Sequence, residues 1–102
     1  MSSNQSDIAL RVAAIRLSVT NLLALTLCNV LHEETGSVYE PHDVQSDGFE
    51  LSCDGVAYDG GSFYLDKGQL IIASVTPQII LGDTDDLETL KTKLIEFINT
   101  DK

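Results

Sequence analysis

The sequence predicts a two-layer α+β domain in which a long N-terminal helix and an amphipathic C-terminal helix pack against an antiparallel meander of four to five strands. Three observations support this class. No glycine or proline precedes Gly36, the middle of the chain alternates short apolar runs with Asp-Gly and Gly-Gly turns, and apolar residues recur at helical spacing near the C-terminus. At 102 residues the chain fits a single domain, 1–102, because two smaller units would each bury too little apolar surface.

The first helix is predicted over residues 7–33, after a flexible N-terminus at 1–6. Ser6 is a suitable N-cap, Asp7 is favourable at the positive end of the helix dipole, and Gly36 ends the helix. Around the helix axis, the apolar side chains form two lobes with Arg16 and Thr20 between them. One lobe consists of Ile8, Val12, Ile15, Val19, Leu22 and Val30, and the other of Leu10, Ala13, Leu17, Ala24, Cys28 and Leu31.

A helix with two apolar flanks needs two surfaces to pack against. We expect the chain's own sheet to cover one flank, and either the C-terminal helix or a second copy of the chain to cover the other. Because a large exposed apolar patch is unusual on a soluble monomer, we predict a homodimer that forms through the N-terminal helix.

The β-meander is predicted over residues 38–82, and turn sequences divide it into strands. Asp54-Gly55 predicts a tight hairpin between strands at 49–53 and 56–58, and Asp66-Lys67-Gly68 predicts a second hairpin with a three-residue loop. In residues 70–75, both the odd-numbered and the even-numbered positions carry apolar side chains, which is typical of a central strand covered on both faces. A proline at position 77 separates this run from a last apolar run at 79–81.

The last helix is predicted over residues 84–100. Asp85, followed three residues later by Glu88, fits a capping pattern at its start. The apolar residues that recur at helical spacing are Leu87, Leu90, Leu94, Phe97 and Ile98. This spacing predicts an amphipathic helix that closes the chain.

The charge of the chain is strongly acidic, with a formal net value of −10 at pH 7. Between His32 and Lys67 there is no lysine or arginine, and the nine carboxylates in this block are Glu33, Glu34, Glu40, Asp43, Asp47, Glu50, Asp54, Asp59 and Asp66. Such a protein repels phosphate, so direct binding of nucleic acid or of an anionic bilayer is disfavoured, whereas basic protein surfaces and cationic ligands are attracted.

The compartment is predicted from the termini and the cysteines. The N-terminus has no basic segment typical of a signal peptide, and polar residues interrupt the apolar stretch at 17–31, so we expect neither a signal peptide nor a membrane span. Cys28 lies in a helical pattern and Cys53 in a strand pattern, which favours two free thiols rather than a disulfide. These features predict a cytoplasmic protein.

Candidate catalytic and metal-binding groups are few. Cys28 and His32 are four residues apart on one helix face, but a packed thiol and a histidine near the helix C-terminus explain both residues. His42 and Asp43, after Pro41, are interpreted as an exposed loop. The chain holds two cysteines and two histidines in all, and no EF-hand or phosphate-binding loop pattern occurs. We therefore predict no catalytic residue, cofactor or metal, and a protein that is not an enzyme.

The candidate binding residues are Arg16, Tyr58, Tyr64, Glu50 and Asp59. An arginine between apolar lobes needs an acid, access to water, or an anion at a pocket between helix and sheet, and tyrosines beside carboxylates can hold a cation. The leading hypothesis is a small acidic non-enzymatic protein-interaction module, of adaptor, chaperone-like or inhibitor type, that docks a basic partner surface. The alternative is a binding protein for a small cationic ligand, with a pocket between helix and sheet or at a dimer interface.

Overall fold

The computed structural model describes residues 2–100, and it describes side chains from residue 8 onward. The elements in chain order are α1 (Ser2–Thr35), β1 (Tyr39–Gln45), β2 (Gly48–Cys53), β3 (Ser62–Asp66), β4 (Gln69–Ile72), β5 (Ile79–Asp83) and α2 (Leu87–Thr100). The five strands form one antiparallel sheet in the order β1-β2-β3-β4-β5, so each strand pairs with its neighbour in sequence. The predicted α+β fold of two helices and a meander is confirmed.

The core lies between one face of the sheet, here called the inner face, and the two helices. The helix α1 contacts β1 and β2, and α2 contacts β5. Phe49 and Phe63 stack in the middle of this face with ring centroids 5.0 Å apart. The buried core residues are Leu23, Ala24, Leu27, Cys28, Val30, Leu31, Phe49, Leu51, Phe63, Leu70, Ile72, Leu81, Leu90 and Leu94.

Only the second half of α1 belongs to this core. Every residue from Ile8 to Val19 is exposed, and Thr20 is the first buried residue among the side chains that the structure describes in this helix. The Thr20 hydroxyl lies 2.7 Å from the Arg16 carbonyl oxygen and 3.2 Å from that of Ser46 in the β1–β2 turn, so it fixes the point where the helix meets the sheet. The molecule is correspondingly elongated, with extents of 56 × 26 × 23 Å.

Neither of the two predicted apolar lobes of α1 is buried as a whole. Leu10 and Leu17 of the second lobe are exposed, whereas Val30 of the first lobe is buried. Burial changes along the helix because the sheet lies beside the second half alone. Within that half it also changes around the axis, since Leu22 and Leu25 are exposed. The helix is also longer at both ends than the predicted 7–33.

The segment after β2 is not the strand predicted at 56–58. After the Asp54-Gly55 turn, Cys53 and Val56 form a single bridge, and the chain then turns again. Tyr58 has a φ of 66°, in the left-handed region, which is incompatible with an extended strand. The chain rejoins the sheet at Gly60 and Gly61, whose backbone groups exchange hydrogen bonds with Leu51.

Two other local predictions require correction. His42 and Asp43 lie in β1 and not in a loop, with an irregularity in the pairing between Pro41 and Asp43. The second hairpin has a two-residue turn, Lys67-Gly68, because Asp66 pairs with Gln69. Both turn residues have positive φ, 52° and 77°, as a type I′ turn requires.

The last three elements follow the predicted pattern closely. The run predicted as a strand covered on both faces contains β4, in which residues 70, 71 and 72 are all buried, and β5 begins after Pro77 at Ile79. The helix α2 begins at Leu87, and its capping residue is Asp86, not Asp85. The Asp86 carboxylate accepts hydrogen bonds from the Thr89 N–H at 3.1 Å and the Thr89 hydroxyl at 2.6 Å.

Candidate functional site

The outer face of the sheet, opposite the helices, brings acidic residues of different strands together. In the β1–β2 register Asp43 lies directly opposite Glu50, and in the β2–β3 register Glu50 lies opposite Ser62. Phe49 and Phe63, which neighbour these positions in the strands, are buried in the core. Since successive side chains of a strand point to opposite faces, Asp43, Glu50 and Ser62 share the outer face.

These residues line a shallow depression of about 250 Å³, here called the acidic depression. Its lining residues are Asp43, Gln45, Asp47, Gly48, Phe49, Glu50, Ser62, Phe63, Tyr64 and Ala73. Three of them are carboxylates, and none is a lysine or an arginine. The depression is therefore a concave surface of one sign of charge.

Glu50 is the least satisfied polar side chain of this surface. Its Oε2 atom is shielded from solvent and has no hydrogen-bond partner. The residue opposite it, Asp43, carries the same charge, and like charges at directly opposed positions destabilise a sheet. Within the described residues, neither carboxylate forms a salt bridge, since the two ion pairs there, Lys91–Glu88 and Lys93–Glu96, both lie on α2.

Tyr64 forms one wall of the depression, and the loop between β4 and β5 fixes its position. Its hydroxyl donates a hydrogen bond of 2.8 Å to Oε1 of Gln78. The N–H of Ala73 donates to the carbonyl oxygen of Ser62 at 2.8 Å, so the start of this loop is attached to β3. An aromatic ring held beside unpaired carboxylates is a suitable wall for a cation.

Arg16 lies elsewhere, in a larger cavity of about 430 Å³ where α1 leaves the domain. This cavity lies between the helix and the β1–β2 and β3–β4 turns, and it also contains Lys67 and Asp47. Arg16 is exposed, so its charge reaches water, which is one of the outcomes predicted for it. A cavity between helix and sheet was also predicted for this residue, and Arg16 does line one.

The other two predicted binding residues lie in the turn segment after β2. Tyr58 is exposed and packs edge-on against His42, with ring centroids 4.7 Å apart. Asp59 lines a separate cavity of about 320 Å³ that also touches α1 and α2. Of the five predicted residues, the structure thus brings Glu50 and Tyr64 together and separates the other three.

Sequence reasoning missed Asp43, Asp47 and Ser62 as members of this site. The signal was present in the two-residue turn Ser46-Asp47 between Val44 and Phe49. A hairpin closed by this turn places position 43 opposite position 50, as observed.

The structure agrees with the interpretation of Cys28 as a packed thiol rather than a nucleophile. Cys28 is buried, and this burial, followed in importance by the charge of Glu40, raises the pKa of its thiol to about 11. His32 instead donates a hydrogen bond from Nδ1 to the carbonyl oxygen of Ser37 at 2.9 Å. Both cysteines are free thiols. Among residues 8–100, no group of three or more histidine, cysteine, aspartate or glutamate side chains is arranged to hold a metal ion.

The segment Ile8–Thr35 of α1 is long and apolar enough to cross a membrane by length and composition, and only 17% of its most apolar window is buried. This is weak support for a membrane role, because apolar core helices also meet these two criteria. Comparisons of the chain with protein-family models, with curated proteins and with solved structures gave no match.

Proposed function

We propose that this protein is a small acidic, non-enzymatic protein-interaction module, of adaptor, chaperone-like or inhibitor type, which binds a basic partner at the acidic depression. The observation that carries the proposal is the shielded, unpartnered Oε2 atom of Glu50, opposite the like charge of Asp43 and beside Tyr64. A cytoplasmic location belongs to the same proposal, and the two free thiols support it.

The energetic reason is that the isolated domain holds two facing carboxylates without a cation. A buried carboxylate oxygen without a hydrogen bond destabilises the domain, and the facing carboxylate adds repulsion. A lysine or arginine side chain from a partner would donate hydrogen bonds to the carboxylate oxygen that lacks them. Its positive charge would also offset the repulsion between the two carboxylates. Binding of such a partner is therefore favourable, because no residue that lines the depression supplies a positive charge to these carboxylates.

The size and chemistry of the depression favour a basic side chain. A volume of about 250 Å³ is below the usual range for drug-sized ligands, but it accommodates one ammonium or guanidinium group and part of its stem. The net charge of −10 extends this attraction beyond the depression and steers basic surfaces toward the protein. The same field disfavours nucleic acid and anionic lipid as partners.

The test is binding of a fluorescent pentalysine peptide, measured by anisotropy at about 20 mM and about 500 mM NaCl, which span weak and strong screening. We expect binding at low salt, a loss of affinity at high salt, and a loss of at least about fivefold for Glu50→Gln, which is about 1 kcal/mol. The matched control is Asp59→Asn, which removes the same charge from an exposed residue outside the depression.

Two results would count against the proposal. Equal weakening by Glu50→Gln and Asp59→Asn would show that the peptide responds to net charge and not to the depression. Affinity that is unchanged between the two salt concentrations would show that binding is not electrostatic.

The second candidate is a binding protein for a small cationic molecule. The observation that favours it is that Tyr64 lies in one depression with the carboxylates of Asp43, Asp47 and Glu50. This depression lies on the outer sheet face, not between helix and sheet as the sequence suggested. A thermal-shift series with spermidine and choline tests it: stabilisation that Glu50→Gln removes would favour this candidate, and no shift with either compound would reject it.

A further inference from the structure

The exposed half of α1 carries a regular apolar stripe that its own domain leaves largely exposed. Here called the seam, it consists of Ile8, Val12, Ile15, Val19 and Leu22. The spacing of these residues is 4-3-4-3, which is the heptad spacing of a helix that pairs with another helix. Each of the five side chains is between 41% and 63% exposed.

The seam is distinct from the surface that packs on the sheet. At about 100° per residue, the buried face formed by residues such as Thr20, Leu27 and Leu31 is centred about 120° away from the seam. A helix that approaches the seam therefore lies to one side of the buried face, and it passes along the cavity of about 430 Å³ that Ile15 and Val19 line together with the β1–β2 and β3–β4 turns. Beyond the seam lies a groove of about 380 Å³ between α1 and α2, which Val30 and Ile95 line together with the polar residues Thr26, Asn29, Glu33, Glu34 and Lys91.

We propose that the occupant of the seam is the same segment of a second copy of this chain, in an antiparallel helix pair. In the register in which Val12 faces the second copy's Leu22 and Ile15 faces its Val19, the pair is centred near Leu17, and Ile8 faces its Thr26. The second copy's helix then continues past Thr26 toward the groove beside α2. This proposal is independent of the acidic depression, which lies on the opposite side of the sheet from α1.

The area of the seam is sufficient for such a contact. The five side chains expose on the order of 500 Å² per copy, or about 1,000 Å² for two copies, which is near the lower limit of a specific interface. The seam contains no charged side chain, although Arg11 and Arg16 lie at its edges. A self-complementary apolar stripe meets an identical stripe without burying an unpaired charge.

The antiparallel direction follows from the shape and charge of the protein. The sheet and the helical segments packed on it form a compact part that is 23–26 Å wide. In an antiparallel pair centred near Leu17, the compact parts of the two copies lie about 30 Å apart along the helix axis, at about 1.5 Å per residue. A parallel pair would place the two acidic domains side by side. Since each chain has a net charge of −10, the antiparallel arrangement also reduces repulsion.

A bilayer is a poorer occupant of this segment. The exposed stretch 8–19 has twelve residues and is about 18 Å long, whereas the hydrocarbon core of a membrane is about 30 Å thick. A full span would have to include the second half of α1, whose side chains form the domain core. Insertion would therefore remove the helix from its own sheet.

The test is the mass of the full chain in solution, measured by light scattering and by analytical ultracentrifugation. We expect a species of twice the 11.1 kDa protomer mass. Ile15→Glu should weaken the dimer at least about 100-fold, because each interface then contains two buried carboxylates. Leu17→Glu is the matched control, since Leu17 is also exposed but lies on the opposite side of the helix, and it should change the affinity by less than about threefold.

Direction is tested with a spin label at Glu34→Cys in a Cys53→Ser background, with Cys28 protected by burial. An antiparallel pair places the two labels about 50 Å apart along the axis, whereas a parallel pair brings them much closer. A short distance would overturn the antiparallel arrangement.

A monomeric wild-type chain, or equal weakening by Ile15→Glu and Leu17→Glu, would contradict the proposed dimer contact through the seam. Flotation of a monomeric chain with phosphatidylcholine–phosphatidylglycerol vesicles, if Ile15→Glu abolished it, would identify a membrane as the occupant instead.

Discussion

The two halves of α1 are equally apolar in sequence, but they are opposite in burial. In the described part of the first half, residues 8–19, every side chain is exposed, whereas seven side chains between Thr20 and Leu31 are buried. The difference arises from the dimensions of the sheet. A seven-residue strand such as β1 is about 23 Å long, which matches about 15 helical residues, whereas the 34 residues of α1 extend about 51 Å.

The contribution of an apolar side chain in α1 to stability therefore depends on its burial and not on its type alone. Leu17 and Leu27 are ten residues apart in one helix, and one is 44% exposed whereas the other is 1% exposed. The second half of α1 stabilises the fold, and the first half has no role in the core. Because a large exposed apolar surface is unusual on a soluble monomer, we expect the first half to contact another molecule.

The largest expected effect compares these two leucines. Leu27→Ala should reduce the free energy of unfolding by about 2–5 kcal/mol, because it leaves a cavity in the core. Leu17→Ala should change it by less than about 0.5 kcal/mol, because that side chain is 44% exposed and lies outside the core. Urea unfolding followed by circular dichroism measures both. Similar losses for the two variants would contradict the division of the helix into two halves.

A smaller effect is expected at the boundary of the halves. Thr20→Val removes the buried hydroxyl near the carbonyl oxygens of Arg16 and Ser46, and it should cost about 1–2 kcal/mol, since the Ser46 oxygen loses a partner from α1. Thr26→Val is the control, because the Thr26 hydroxyl bonds only within the helix, to the Leu22 carbonyl oxygen. If the two valine variants were equally stable, Thr20 would not be the attachment point.

The buried thiol offers a test by pH. Burial raises the pKa of Cys28 to about 11 from an ordinary value of 9.0, so the folded state favours the neutral thiol. The stability that this provides is fully present below pH 9.0 and is lost as the pH rises toward 11. Stability measured across this window should fall more steeply for the wild type than for Cys28→Ala. At pH 8, a thiol reagent should modify Cys53 much faster than Cys28.

The smallest effect concerns the start of the other helix. Hydrogen bonds from the Thr89 hydroxyl and N–H lower the pKa of Asp86, so the charged carboxylate is favoured in the folded state. This contribution is present above the ordinary pKa of 3.8 and is lost as the pH falls through the lower folded value. Asp86→Asn should weaken the acid dependence of stability near pH 3–4. The adjacent Asp85→Asn, which removes an acid that is not the cap, should leave it unchanged.

The candidate site was partly predictable. Glu50 and Tyr64 were identified because tyrosines near carboxylates suggest a cation site, and they share the acidic depression. Asp43 was missed because Pro41 suggested a loop. Proline is tolerated in β1 because it is an edge strand, where one side of the backbone forms no ladder. Tyr58 was placed in a strand because aromatic residues favour sheets, but the backbone at this position is left-handed.

By itself, the sequence determined the α+β class, the two helices and the strands β2 to β5, because these depend on local properties: the absence of helix breakers before Gly36, the turn sequences, and the spacing of apolar residues in α2. It did not identify β1, and the strand that it suggested at 56–58 does not form. It also determined the sign of the net charge, on which the proposed preference for basic partners depends. Only the tertiary structure decided where along α1 burial begins and which carboxylates face one another. Both depend on strand length and register, which bring together residues that are distant in sequence, and a local pattern contains neither.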